Sequence, residues 1–402
     1  MPELPQQWTR RRLLDVVGLP SGQVDPRRHP YSRQILIAPD HVESCTGRLL
    51  EVRTAAEQRA ISGKYVIAPG DVVYSKIRPA LRKAVLSPFK GLCSADMYPL
   101  RPTRELDSRY LLALILSDGF SNFAEAVSGR SGIPKINREE LAEYSVSLPP
   151  IEEQRRIAEI FETMNALIAH SMSILRKLET LQHSIKRETL GALENAINST
   201  VGRCFSIQAG VTLGPGREPT RRPSKYLRVA NVHRQQIDLA DVASLQASPQ
   251  ERQRLALQEG DLLVVEGHAN PEEIGRCARV TGEAVGLLYQ NHLFRLRSNQ
   301  IDSEFAELWM NSALAGAYWR RTCATSSGLY TINSKMLAAM PFYQGARTEQ
   351  TKIVRKIRLV RDRIEAEGKR LAKLQLLRQG LMADLLAGQV LLSEAESVVE
   401  DL

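Results

Sequence analysis

Proline is missing from two long stretches of this chain of 402 residues, Ile151 to Val211 and everything after Pro341, although 20 prolines occur in all. Nothing in either stretch forces a helix to break. Cysteine is scarce and odd in number. Cys45, Cys93, Cys204, Cys277 and Cys323 lie far apart with no C-x-x-C spacing. That excludes a disulfide scaffold and the common zinc and redox pairs, and leaves five small residues expected to be buried. No run approaches 18 uncharged apolar residues, and the opening MPELPQQWTRRRLL sets its basic residues beside prolines instead of ahead of an apolar segment. Neither a membrane span nor a secretory signal is indicated, so the expected location is the cytoplasm with no membrane partner. Catalytic signatures are lacking too: there is no G-x-x-x-x-G-K-[ST] loop, no G-x-G-x-x-G at a strand-helix junction and no H-E-x-x-H.

What is present is a repeat. The stretch from Leu148, LPPIEEQRRIAEIFETMNALI, is answered by the stretch from Met340 to Leu386, MPFYQGARTEQTKIVRKIRLV onward, and from Ile157 on Ile353 the two align without a gap at a constant offset of 196. In the first, apolar residues fall at Ile157, Phe161, Met164, Ile168, Met172, Leu175, Leu178, Leu181 and Ile185. The second answers with Ile353, Ile357, Val360, Ile364, Gly368, Leu371, Leu374, Leu377 and Leu381. A mean spacing of about 3.5 is that of a seam buried against another helix in a coiled coil. Only the Gly368 step is empty, and a local bend or a close crossing is expected there. At 1.5 Å per residue each stretch makes a rod of about 60 Å.

The segments before the rods also answer one another. YSRQILI at Tyr31 matches YLRVANV at Tyr226, and KYVIAPGDVVYSK matches LALQEGDLLVVEG, with Gly70 and Asp71 on Gly260 and Asp261. These read as strands around a Gly-Asp turn. The apolar segment 108–127 reads as a buried helix answered by FAELWMNSALAGAYWRR, and RSGIPKINREEL is answered by SSGLYTINSKML, with Gly132 on Gly328 and Asn137 on Asn333. Both glycines are expected to serve a tight loop at positive φ.

The fold class expected is α+β: two globular mixed α/β domains separated by two long helices that form an antiparallel coiled coil, with an internal pseudo-twofold repeat. The boundaries are 1–148 for the first domain, 149–195 for the first spacer helix, 196–345 for the second domain, 346–390 for the second spacer helix and 391–402 for a tail. The seam is assigned to Ile157, Phe161, Met164, Ile168, Leu175, Leu178, Ile353, Ile357, Val360, Ile364, Leu371 and Leu374. Two heads held a fixed distance apart suit a ruler that reads two half-sites of a duplex.

Charge is consistent with a polyanion partner. The formal net charge is +9; residues 1–150 carry 21 basic against 16 acidic side chains, and residues 201–345 carry 16 against 13. The excess thus sits mostly in the globular parts, where it is either an ordinary solvated surface or a nucleic-acid footprint. Asp261, Glu266 and His268 imitate the spaced ligands of a metal-dependent nuclease, but the answering stretch has Ser75 and Lys76, and no third convergent ligand can be named. No metal and no catalytic residue is assigned. A coiled-coil scaffold without a nucleic-acid role and a solitary metal-dependent nuclease remain the competing classes.

YLRVANVHRQQIDLADV, EGDLLVVEGHANPEEIGRCA and YQNHLFRLR in the second segment, with KYVIAPGDVVYSKIRPALRKAV and LCSADMYPLRP in the first, resemble target-recognition domains of the specificity subunit of type I restriction-modification systems. LPPIEEQRRIAEI and ARTEQTKIVRKI resemble that family's repeated spacer-helix motif, although MPFYQGA stands in place of Pro-Leu-Pro-Pro before the second. The resemblance implies a non-catalytic subunit that binds a bipartite double-stranded DNA target, one half-site per domain. It also implies partners: two methyltransferase subunits and restriction-translocase subunits, which use S-adenosylmethionine and ATP, so that no cofactor is bound directly.

Basic and amide side chains on loops flanking the matched strands are the candidates for contacting DNA. In the first domain these are Lys76, Arg78, Arg82, Lys83, Arg130 and Lys135; in the second, Arg217, Arg221, Arg222, Lys225, Arg228, His268, Asn270, Ser327 and Tyr330. Arg155, Arg156, Arg355 and Lys356 near the helix starts are either solvated or part of a docking face.

Overall fold

The structure is a computed structural model that describes residues 5–129, 132–219, 223–323 and 329–402. It divides into two compact units, one of residues 1–174 with 367–402 and one of residues 175–366. Each unit therefore holds one globular head and one length of each long helix.

In the first unit, Val17–Gly18, Met97–Pro102, Val72–Ser75 and Ala84–Leu86 form an antiparallel sheet in that order. A second sheet runs Arg53–Thr54, Ile35–Ile37, Gly91–Ser94, Lys64–Ile67, with Ile35–Ile37 parallel to Gly91–Ser94. The central strand Val72–Ser75 is buried on both faces, which is why its sequence is a continuous apolar run instead of an alternation. Val72 and Tyr74 face a core shared with helices α1 (Ser108–Leu116) and α2 (Asp118–Val127), while Val73 faces Ile37, Val85 and Cys93 on the other side.

The second unit repeats this plan. Its main sheet is Ser206–Ala209, Leu293–Arg297, Leu262–Val265, Cys277–Arg279. Its smaller sheet has Ser224–Leu227 antiparallel to Ala243–Leu245 and parallel to Leu288–Tyr289. Leu262 and Val264 face the helix side; Leu263 and Val265 face the other core.

The apolar segment 108–127 is two helices, not one. The chain turns at Ser117, whose Oγ accepts from the Phe120 N–H at 3.2 Å and caps α2. Asn311 and Ser312 break the second head's segment in the same place, Ser312 capping the Ala313–Thr322 helix. Serine suits such a point because its hydroxyl accepts from an N–H that the start of a new helix leaves without an intrahelical partner.

The long helices are α3 (Ile151–Gly191) and α6 (Arg347–Ala387), after α4 (Ser303–Met310) and α5 (Ala313–Thr322). In the first unit they pack antiparallel: Ile157, Ile160 and Phe161 share a core with Leu381, Met382 and Leu385, and Met164 and Ile168 with Leu371, Leu374 and Leu377. In the second unit Leu190 and Ile185 pack with Ile353, Val354 and Ile357. Between these ends Leu175, Leu178, Val360 and Ile364 are half-buried. The seam is not the unbroken line its spacing suggests. Met172 and Leu181 are exposed, and one step from Met172 the buried residue is Ser171, which donates to Glu367 at 2.5 Å. A straight helix drifts about 20° per heptad from a 3.5 repeat, so a fixed seven-residue pattern slides off the interface. Gly368 is not at a close crossing, since a Cβ there would meet nothing within 4 Å, and α6 runs through it unbroken.

Residues 392–400 form a further helix, α7, with Ala395 buried in the first unit's core and Glu396 paired with Arg156. Arg156 is therefore not a free charge. Of the cysteines, Cys93 and Cys277 are buried and the other three half-buried, all as free thiols.

Each head is fastened to the start of a long helix by a buried glutamine. Gln154 Oε1 accepts from the Asp107 N–H at 2.8 Å, while its Nε2 donates to Glu105 O and Pro149 O, both at 2.9 Å. Gln350 does the same in the second unit, accepting from the Asp302 N–H at 2.8 Å and donating to Gly345 O at 2.9 Å. Asp107 and Asp302 in turn cap α1 and α4. Gln154→Ala or Gln350→Ala should each lower stability by about 1–3 kcal/mol in urea unfolding, because buried N–H and C=O groups are stranded. A loss below about 0.5 kcal/mol, the level of an ordinary surface change, would show that the amide does not fasten the head.

Candidate nucleic-acid interface

The Gly-Asp turns fix where each central strand begins. Gly70 and Gly260 sit at φ of 90° and 84°, a conformation that glycine reaches without strain. The aspartate that follows folds back on its own turn: Asp71 Oδ2 accepts from Ala68 N–H at 2.8 Å, and Asp261 Oδ2 from Gln258 N–H at 2.7 Å. Each then takes a two-pronged bond from an arginine on the neighbouring strand, Arg101 to Asp71 at 2.8 and 2.7 Å and Arg297 to Asp261 at 2.6 and 2.6 Å. Both carboxylates are 2 % exposed. Asp261 is thus committed to the fold, which removes it from any grouping with Glu266 and His268. Among the described residues no three His, Cys, Asp or Glu side chains are placed to hold a metal ion.

At its far end each central strand continues into a short ladder with the loop before the long helix. In the first head Ile77 bridges Lys135, Ile136 N–H donates to Lys76 O at 3.0 Å, and Arg78 N–H to Pro134 O at 2.8 Å. In the second, Gly267 and His268 pair with Thr331 and Tyr330, and Ile332 N–H donates to Glu266 O at 2.7 Å. Buried Ile136 and Ile332 pin the loops, and Asn137 and Asn333 end them by capping the next helix. Gly132 sits at φ of 110°. The ladders bring Lys76, Arg78 and Lys135 together in one head, and His268 and Tyr330 in the other.

The remaining candidates are placed differently. Lys76 stands over the Tyr98 ring at 4.9 Å. Arg82 pairs with Asp118, and Lys83 Nζ donates to Pro39 O at 2.6 Å. Arg217 makes two bonds to Glu251, at 2.8 and 2.7 Å, and Arg228 donates to Asp241 Oδ2 at 2.6 Å. Lys225 is exposed on its strand. Asn270 Oδ1 caps the turn at Pro271, and its N–H donates to His268 Nδ1 at 3.0 Å. Arg130, Arg221, Arg222, Ser327 and also Gly328 lie outside the described residues. Sequence reading passed over Glu266 and His292 as a pair, bonded at 2.5 Å, because residues 26 apart show no local pattern. They line a cleft of about 710 Å³ with Val229, Gly267, Thr331 and Asn333.

The bond from Arg217, with help from the Ser248 N–H, holds the Glu251 carboxyl at about 2, below its ordinary 4.5. A lowered folded-state value stabilises the fold above the unfolded value, so this contribution is complete above about pH 4.5 and is lost as pH falls through 2. Arg217→Ala should therefore raise the Glu251 titration midpoint in carboxyl NMR and flatten that part of the acid-unfolding curve; an unmoved midpoint would contradict the pairing.

Residues 57–180 match the type I restriction modification DNA specificity domain. Over 189 residues, 46% of this chain and 42% of the relative, the chain is 33% identical to the Type I restriction enzyme EcoDI specificity subunit of Escherichia coli. It is 23% identical to the EcoKI specificity subunit of Escherichia coli strain K12 over 326 residues, 75% of this chain and 70% of that one. Among solved structures, the HsdS subunit from Thermoanaerobacter tengcongensis matches with a TM-score of 0.57 and 19% identity, covering 97% of this chain and 99% of that one. A chain from a study of complex assembly and conformational transition of the type I R-M system matches with a TM-score of 0.65 and 18% identity, covering 97% and 100%. At such identities the structural likeness is one of fold. With its repeated heads and paired helices, the chain carries the type I restriction modification DNA specificity domain over residues 57–180 and is similar to type I restriction enzyme specificity subunits, spanning less than half the length of the EcoDI one.

Proposed function

We propose that this chain is the DNA-reading subunit of a type I restriction-modification complex, recognising a bipartite duplex with one half-site per head. The observation that carries this reading is that the two heads share one backbone plan, down to the Asp–Arg lock and the loop ladder, but present different side chains on it. Equivalent frames with unlike faces suit a target whose halves differ in sequence. Lys76, Arg78 and Lys135 in the first head, and Lys225, His268, Asn270 and Tyr330 in the second, are the side chains whose placement best supports contact with phosphates or base edges. Arg82, Lys83, Arg217 and Arg228 have internal partners and would contribute less.

The paired helices set the gap between half-sites. Residues 1–148 and 196–345 serve as recognition domains, 149–195 and 346–390 as spacers. Two methyltransferase subunits and restriction subunits dock on the chain and bring S-adenosylmethionine and ATP; the chain itself performs no chemistry. Its work on DNA takes place in the cytoplasm; among the described residues no helix is long and apolar enough to cross a membrane.

The full-length chain should retard mixed-sequence duplexes in a gel, with an affinity that falls steeply as salt rises. Given S-adenosylmethionine or a divalent metal alone it should neither methylate nor cut them, and measurable turnover by the pure chain would sink this assignment. Two heptads inserted at matched positions of α3 and α6 should lengthen the preferred gap and leave both half-site sequences as they were. An unchanged gap would count against a helical ruler.

A further inference from the structure

One position just past the central strand is built identically in both heads and filled with opposite charge. Lys76 N–H donates to Asp96 O at 3.0 Å, and Lys76 O accepts from Ile136 N–H at 3.0 Å. Glu266 N–H donates to His292 O at 3.0 Å, and Glu266 O accepts from Ile332 N–H at 2.7 Å. The backbone is thus pinned from two sides in each head, so the two side chains leave from matching places. In the second head that side chain is a carboxylate, 29% exposed, whose Oε2 is held by His292 Nδ1 at 2.5 Å at the wall of the 710 Å³ cleft.

A carboxylate there cannot serve as a phosphate contact, because the duplex backbone repels it. It can only accept hydrogen bonds. Within the major groove, the donors that a duplex offers are the amino groups of cytosine and adenine. Resting on the DNA-reading function proposed above, we infer that Glu266 is a base-reading residue of the second head, accepting a hydrogen bond from an exocyclic amino group of cytosine or adenine. His292 positions it by occupying one oxygen and leaving the other directed to the base. Lys76, which can only donate, is its counterpart and suits the O6 and N7 acceptors of guanine or a phosphate, so the two heads differ in sign at a shared place.

The test is selection of bound sequences from a randomised duplex library by the full-length chain and by its Glu266→Ala and Glu266→Met variants. Methionine keeps the length of the side chain while removing both oxygens, so it carries the test should the alanine variant fail to fold. Wild type should fix at least one base pair in each half-site, and the pair that the variants release, C·G or A·T, tells which of the two bases is read. The variants should lose roughly tenfold or more of that preference and leave the other half-site intact. A variant that keeps both half-site preferences overturns the role of Glu266 alone, as does one that binds every sequence more tightly with preferences unchanged. A wild-type chain that selects no motif overturns both this inference and the DNA-reading function beneath it.

Discussion

A single buried amide holds each head to the first turn of a long helix, and most of what the chain can do depends on it. Gln154 and Gln350 are 1 % and 0 % exposed, and each joins the cap of a head helix to the backbone at the helix start. An apolar side chain in either place would leave the Asp107 or Asp302 N–H without a partner. Because an amide bonds in fixed directions, the head is held at one angle instead of merely being stuck on by apolar contact. Charged ties add to it in both units: Arg109 on α1 meets Glu159 and Glu162 on α3, and Glu304 on α4 meets Arg358 and Arg361 on α6. A reader whose register depends on head placement needs joints of this kind.

Much of the architecture was legible in the amino-acid pattern. The shared offset of the rods and the matching stretches of the heads revealed the repeat, and the Gly-Asp turns marked strand starts that both units share. What escaped was physical in each case. The glutamines stand among other polar residues in IEEQ and RTEQ, and nothing local marks them as buried. The breaks at Ser117 and Ser312 lie inside apolar runs, where capping competes with continuation by only about a kcal/mol. The slide of the seam to Ser171 and Glu367 follows from helix pitch, which a strict heptad count ignores.

The candidate interface was less legible than the fold for the same reason. Arginine reads as a surface cation in a sequence, yet Arg82, Arg217 and Arg228 bond to Asp118, Glu251 and Asp241 through folding that brings distant segments together. The loop ladders are the exception. Their asparagine caps and buried isoleucines repeat in register, so Lys76, Lys135, His268 and Tyr330 could be found by aligning the halves, with their meeting explained only by the strand pairing. The sign change from Lys76 to Glu266 was visible in that alignment as well, but its meaning required knowing that both backbones are pinned alike.

The central claim is that two equivalent heads each engage one part of a single duplex. Hydroxyl-radical footprinting of the full-length chain on a selected target tests it most directly. The account predicts two protected patches separated by a stretch cleaved as in free DNA; one continuous patch, or uniform cleavage along the whole duplex, would contradict it.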